Sequence, residues 1–251
     1  MWNVECGMWN VECGMWNVEE VFAGSVWLSS CFKHLFYVLH STFYIPSFRN
    51  TRHCTFEEVA VGGKNQKVPH VCPWYMAYLF DNPVRHLIHD PEKILGSYVK
   101  PGMTVLDIGC GMGFFSLGMA RMVGPGGRVI SLDLQTMMLK ILEKRAINGG
   151  LSDRIETRLV GDGRFPVEIP VDFALCFWMV HEIQDQVLFL RELSQALKPG
   201  AYVLIAEPAM HHVKLEDLEK TIRIAEEEGF SVTERPRIRM SLSVVLKKIE
   251  N

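Results

Sequence analysis

The sequence predicts an α/β domain, a largely parallel sheet with helices packed against it. Three observations carry this. From Thr104 onward, short apolar runs alternate with helical patterns in units of roughly 30 residues, the spacing of strand–helix–strand repeats. The turn after the first of these runs, Gly109 to Gly113, holds three glycines, as do strand-to-helix junctions that face a ligand. The chain has 251 residues, 48% of them hydrophobic, enough for one sizeable core without staples.

The elements follow in order. MWNVECG occurs at 1–7 and 8–14, and MWNVE follows at 15–19. So few copies make no solenoid, and Gly7 and Gly14 preclude a stable heptad coil, so this stretch is expected to have no fold of its own. Residues 21–65 are aromatic-rich and then polar, without a clear period. The expected division is therefore an N-terminal extension over 1–65, disordered or a lid, and a folded domain over 66–251. Within that domain Trp74 to Phe80 is apolar and starts a helix. Asp81-Asn82-Pro83 signals another start, with proline at the first helical position, and Pro91 opens a further short helix. Lys100-Pro101-Gly102 is a turn. Thr104 to Ile108 is a compact buried strand, Phe114 to Val123 an apolar helix, and Gly124 to Gly127 a turn. Arg128 to Leu132 is the second strand and Gln135 to Asn148 a helix. Ile155 to Val160 and the nearly all-apolar Val171 to Phe177 are the third and fourth strands. Gln186 to Leu197 is a helix, Lys198-Pro199-Gly200 a turn, and Ala201 to Ala206 the fifth strand. Leu215 to Glu228 is an amphipathic helix stopped at Gly229. Ser231 to Arg235 and Ile238 to Lys247 are extended and close the chain.

Composition narrows the function. Lysine plus arginine is 26 against 29 aspartate plus glutamate, a net charge of −3, which argues against a dedicated nucleic-acid binder. Seven cysteines, none in a C-x-x-C pair, fit free thiols in a reducing cytoplasm and make a structural zinc site unexpected. The best membrane candidate, Val21 to Phe48, is broken by Lys33 and His34, so no span is expected. The residues before Val21 are acidic, unlike a signal peptide's basic start.

Parallel sheets bind ligands beyond the carboxyl ends of their strands. The loop after the first strand reads Asp107-Ile108-Gly109-Cys110-Gly111-Met112-Gly113-Phe114. Its G-x-G-x-G spacing is not the G-x-G-x-x-G of a dinucleotide site, and no Gly-Lys-Ser/Thr follows as in a P-loop. The second strand ends at Asp133, where a carboxylate can accept both hydroxyls of a ribose. The third is followed by Gly161-Asp162-Gly163, where an aspartate can accept from an exocyclic amine such as that of adenine. Either aspartate alone reads equally as a turn or cap residue. Both, after consecutive strands, favour the ligand reading.

The sequence resembles the class I S-adenosylmethionine-dependent methyltransferases over 72–251, nearest to the type-11-like branch that acts mostly on small molecules. The resemblance rests on VLDIGCGMG (105–113), SLDL (131–134), GDG (161–163), DFALCFWMVHEI (172–183) and LKPGAYVLIAEP (197–208). It implies a Rossmann-like seven-stranded sheet of order 3-2-1-4-5-7-6, the last strand antiparallel, with S-adenosyl-L-methionine as cofactor. It also implies roles. Gly109, Gly111 and Gly113 would pack against the methionine part, with Cys110 on the cofactor side. Asp107 would reach the amino group, Asp133 the ribose, and Leu134 the adenine face. Asp162 would meet the adenine amine, with Gly163 beside it. Cys176, Phe177 and Trp178 would line the cofactor and the transfer point.

Methyl transfer is a displacement at an already activated sulfonium carbon, so alignment is the protein's main contribution, and a base is needed only for a protonated acceptor. His181 and Glu182, just after the fourth strand, are the candidates near the acceptor. The competing reading makes His181 a cap and Glu182 a solvated first-turn carboxylate. Cys72, Trp74 and Tyr75 are candidates for acceptor contact, and the aromatic run continuing through Tyr78 and Phe80 suggests a partly hydrophobic pocket. His70 with Cys72 could bind a soft metalloid, as in arsenite methyltransferases, but only Cys72 is suitably placed and no metal site is expected. The methionines at 112, 119, 122, 137 and 138 read as core filler, and His211-His212 as a solvated loop. Arg235, Arg237 and Arg239 read as one charged face of a strand. The expected function is methyl transfer to a small-molecule acceptor. The alternatives are a cofactor-binding regulator without turnover, an arsenite-type enzyme, and an NAD-dependent oxidoreductase that the glycine spacing disfavours.

Overall fold

A computed structural model describes residues 83–161, 167, 169–209 and 213–250, with the backbone alone at 83, 84 and 86. In chain order the elements are α1 (Pro83–Ile88), α2 (Pro91–Leu95), β1 (Thr104–Ile108), α3 (Phe114–Val123), β2 (Arg128–Asp133), α4 (Thr136–Asn148), β3 (Ile155–Leu159) and β4 (Val171–Phe177). They continue with a 3-10 turn (Val180–Glu182), α5 (Gln186–Ala196), β5 (Leu197–Pro208), α6 (Leu215–Glu227), β6 (Phe230–Glu234) and β7 (Ser241–Lys248).

The seven strands form one sheet of order β3-β2-β1-β4-β5-β7-β6. β1 to β5 run parallel, and β7 lies antiparallel between β5 and β6. The implied topology is therefore the observed one. Its cause is burial of both faces. Leu106, Ile108, Ala174, Cys176, Val203, Ile205, Val244 and Leu246 point to one side, where they pack with Leu190 and Leu193 of α5 and Leu218 and Ile222 of α6. The alternate residues Val105, Phe173, Leu175, Leu204 and Val245 point to the other, against Leu95 of α2 and Phe115, Met119 and Val123 of α3. Strands buried on both faces read as continuous apolar runs, as TVLDI and VDFALCF do.

Two expectations are corrected. Lys198-Pro199-Gly200 does not precede the fifth strand; it lies inside β5. Val171 pairs with Leu197 and Phe173 with Tyr202, so the intervening residues loop out as a bulge, with Gly200 at φ 75°. Arg235, Arg237 and Arg239 do not share a strand face, because β6 ends at Glu234 and β7 begins at Ser241. Arg235 instead makes a two-pronged pair with Glu219 at 2.6 and 3.0 Å. Of the methionines, Met112, Met119 and Met138 are buried as expected, whereas Met137 is exposed. The expectations for Cys72, Trp74, Tyr75, Asp162, Gly163 and His211-His212 lie outside the described residues, as does the extension over 1–65.

Candidate active site at the carboxyl edge of the sheet

The glycine loop is fastened to the end of β2. The N–H groups of Gly109 and Cys110 both donate to the Leu132 carbonyl, at 2.9 and 3.0 Å. Gly111 N–H donates to one carboxylate oxygen of Asp133 at 2.9 Å, and Gln135 N–H to the other at 2.8 Å. Asp133 therefore positions the loop. A carboxylate has about four acceptor directions, so capacity remains beside these backbone N–H groups for a further donor. Two glycines are required for different reasons. At Gly113 (φ 87°) a Cβ would stand 2.2 Å from Leu142 Cδ1 of α4. At Gly111 (φ 54°) a Cβ would meet nothing within 4 Å, so the loop faces open space there. A ligand can approach the backbone at that point. Leu134, which follows Asp133, is 52% exposed and offers apolar surface at this edge. Open space at Gly111, a carboxylate with spare acceptor capacity and an exposed apolar surface fit an adenosine-bearing cofactor.

Asp107, at the end of β1, is fully buried. Ser131 Oγ donates to Ser116 Oγ at 3.0 Å, and Ser116 Oγ donates in turn to the Asp107 carboxylate. Burial, reinforced by the nearby Asp133 charge, pushes Asp107 up to about 7, against the opposing Ser116 bond and Arg85 charge. Asp133 is also raised, mainly by burial, with the N–H donors of Gln135 and Gly111 opposing. The Cys110 and Cys176 side chains are buried, and burial pushes both thiols up. The Cys176 thiol packs in the core instead of opening onto the sheet edge.

The other half of this edge lies at the ends of β4 and β5. Trp178 leaves β4 with φ 60°, a left-handed conformation that costs a non-glycine residue free energy. Its N–H donates to the Ala206 carbonyl at 2.7 Å, and its indole N–H to Ser241 Oγ at 2.9 Å. The guanidinium of Arg85 stands 4.4 Å over the Phe114 ring and within 6 Å of the Phe115, Phe177 and Trp178 rings. His181 and Glu182 occupy the 3-10 turn that follows. His181 Nδ1 is in contact with a carboxylate oxygen of Glu207, the penultimate residue of β5, and the other Glu207 oxygen accepts from Val180 N–H at 2.8 Å. Glu207 is buried and His181 partly so. Burial disfavours the imidazolium, but the Glu207 carboxylate and then Glu182 outweigh it, so His181 is held above its ordinary value. A histidine whose Nδ1–H is gripped by a buried carboxylate is fixed in one tautomer and one orientation, as a general base requires.

Sequence reasoning named His181 but gave Glu207 no role, although it stands in the quoted LKPGAYVLIAEP. An acidic residue at the carboxyl end of a parallel strand was the available signal. Arg85 and Ser116 were also missed, and nothing local in the sequence marks them.

A family model described as a methyltransferase domain matches residues 99–235. The chain is 33% identical over 127 residues to a ubiquinone biosynthesis O-methyltransferase of Leptothrix cholodnii, covering 50% of this chain and 51% of that protein. It is 31% identical over 175 residues to the ubiquinone/menaquinone biosynthesis C-methyltransferase UbiE of Cellvibrio japonicus, covering 67% and 70% respectively. The chain thus spans about half the first relative and seven tenths of the second. Among solved structures, an S-adenosylmethionine-dependent methyltransferase from Aquifex aeolicus superposes with a TM-score of 0.65 at 28% identity, over 71% of this chain and 100% of that one. Strand order, glycine loop and these matches together place the chain in the class I S-adenosylmethionine-dependent methyltransferases.

Proposed function

We propose that the protein transfers a methyl group from S-adenosyl-L-methionine to a small ring-bearing acceptor whose nucleophile arrives protonated. The observation that carries this reading is the pairing of His181 with Glu207 at the ends of β4 and β5. A methyltransferase whose acceptor is already a free nucleophile needs no oriented base. The rings of Phe177 and Trp178 favour a flat acceptor, and the two curated relatives are named for quinone biosynthesis.

The cofactor supplies an activated methyl group and a good leaving group. Gly111, Asp133 and Leu134 would hold its adenosine part, with Asp162 and Gly163 completing the adenine end, and Gly109 and Gly113 would shape the loop around the methionine part. Asp107 would meet the amino group through its buried carboxylate. His181 would take the acceptor's proton at Nε2 while Glu207 holds Nδ1 and stabilises the charge that forms. Glu182 adds to the same field. Phe177 and Trp178 would wall the transfer point, with Cys72, Trp74 and Tyr75 covering the acceptor. The buried, raised thiols of Cys110 and Cys176 are poor soft-metal ligands and count against a metalloid acceptor.

We further propose that residues 66–251 form the methyltransferase domain, with 1–65 an N-terminal extension to it, and that the chain works in the reducing cytoplasm, in keeping with its unpaired Cys110 and Cys176. Among the described residues no helix is long and apolar enough to cross a membrane.

The test is a calorimetric titration with S-adenosylhomocysteine, followed by a screen of phenols, quinols and amines with methyl-labelled cofactor. Binding and labelled product are expected. A folded chain that binds no S-adenosylhomocysteine, from residue 1 or from Gln66, would sink the reading. Binding without product on any acceptor would favour a cofactor-sensing regulator.

A further inference from the structure

His89 follows α1 directly and is 2% exposed. Its ring meets those of Phe177 and Trp178 at centroid distances of 5.1 and 5.2 Å, tilted 73° and 90° to them. The imidazole therefore stands against the end of β4, beside the rings that wall the transfer point. Its Nε2 is 2.8 Å from the Arg239 carbonyl, which can only accept, so Nε2 carries the hydrogen. Nδ1 is then a bare lone pair, and it has no partner among the described residues. Burial favours the neutral ring, and the charges of Arg85 and Arg239 work the same way against the Arg239 carbonyl bond, so His89 is held below its ordinary value.

A buried acceptor without a donor is costly, and in a native protein it calls for an explanation. A histidine that served only to tie the chain after α1 to the Arg239 loop would need Nε2 and nothing more. The ring that carries this second nitrogen packs edge-on against Phe177 and Trp178, the two rings expected to touch the acceptor. With its proton committed to Arg239, it can receive a hydrogen bond but not give one. The two neighbouring arginine charges disfavour an ammonium as its complement. What remains is a neutral donor on a flat molecule.

We propose that His89 Nδ1 is an acceptor-binding group that receives a hydrogen bond from a neutral hydroxyl or N–H of the ring molecule to be methylated. This rests on the methyl-transfer reading and sharpens it. Such an acceptor carries a polar donor beside the reacting atom, and His89 fixes the ring's rotation while His181 takes the proton. His89 is distinct from the His181–Glu207 pair, which acts on the reacting atom itself.

The experiment uses the full chain, labelled with nitrogen-15 histidine and saturated with S-adenosylhomocysteine. Catechol is the probe, and its dimethyl ether, which has no donor, is the control. The His89 Nδ1 resonance, assigned by its loss in His89→Gln, is expected to move with catechol and stay still with the ether. His89→Gln keeps a donor for the Arg239 carbonyl but removes Nδ1, so catechol binding should weaken about tenfold while S-adenosylhomocysteine affinity and melting temperature are kept. His89→Asn, which restores a polar acceptor near the Nδ1 position, should recover part of the loss. An Nδ1 resonance indifferent to catechol overturns the proposal, as does unchanged catechol affinity in His89→Gln. If the glutamine variant does not fold, the resonance in the wild-type chain still decides. Failure of the S-adenosylhomocysteine titration alone falls instead on the methyl-transfer reading beneath it.

Discussion

The two halves of the carboxyl edge are built in different ways. Around β1 and β2 the loop and its anchor are close in sequence: Gly111 is held by Asp133, and the loop N–H groups by Leu132. Around β4, β5 and β7 the partners are remote. His181 meets Glu207, Trp178 meets Ser241, and His89 meets Arg239 from the far end of the domain. In the proposed reading the first half would hold a ligand of fixed shape through backbone, and a backbone-lined turn is written as a local glycine pattern. The second half is lined by side chains brought together by the sheet, and such a surface can be rewritten without touching the cradle. Binding and turnover should accordingly come apart under mutation.

The largest effect expected is on turnover. His181→Gln should lower kcat by about a hundredfold to ten-thousandfold, the range for losing a general base, with S-adenosylhomocysteine affinity unchanged. A comparable loss of cofactor affinity would erase the distinction between the halves. Asp133→Ala should do the converse. Removing a carboxylate that can hold two ribose hydroxyls, and that also positions Gly111 and Gln135, should weaken S-adenosylhomocysteine by about a hundredfold in calorimetry.

Glu207→Gln is a finer probe, because it keeps an acceptor for Val180 N–H but removes the charge beside His181. A loss of about tenfold in kcat is expected, and the acidic limb of the pH–rate profile, which the raised His181 should set in the wild type, should move down. A limb that stays in place would mean that Glu207 is merely structural.

Asp107 divides the halves by pH. Its value is raised from 3.8 to about 7, so its contribution to stability is present at low pH and lost as pH rises through 7. His181 is also raised, and its contribution is likewise lost as pH rises past its folded value. The ligand-free melting temperature should therefore decline from pH 5 to pH 8, and less so in Asp107→Asn. Cofactor binding should go the other way. An ionised Asp107 favours a cationic amino group, so S-adenosylhomocysteine should tighten as pH approaches 7, by at most tenfold per unit. The smallest effect is expected from Ser241→Ala, which strips the Trp178 indole of its partner at a cost of about 1 kcal/mol in denaturant unfolding. It should blur acceptor affinity and leave cofactor affinity alone.

The same asymmetry governs what could be read ahead of the structure. Val105-Leu106-Asp107-Ile108, the glycines and Asp133 were legible because a doubly covered parallel strand must be apolar, and a backbone-lined turn must be glycine-rich. The Lys198–Gly200 bulge and the break after Glu234 were not, since Pro and Gly signal a departure from regularity without saying whether the ladder resumes. His181 was legible from its place after a strand. Glu207 stood in a recognised segment, yet its role depends on β4 and β5 being neighbours with Cys176 opposite Ile205 and Phe177 opposite Ala206.

The sequence by itself determined the alternation of strands and helices and the glycine-rich turn after β1, because these follow from local periodicity and local chain geometry, while the strand order came with the resemblance that its motifs carry. Only the tertiary structure decided which side chains share the edge at β4 and β5. It set His89 with Trp178 and Arg239, and His181 with Glu207. Those pairings depend on strand register and on how α1 and the 235–240 segment pack, which are set by long-range burial. No short stretch of sequence encodes them.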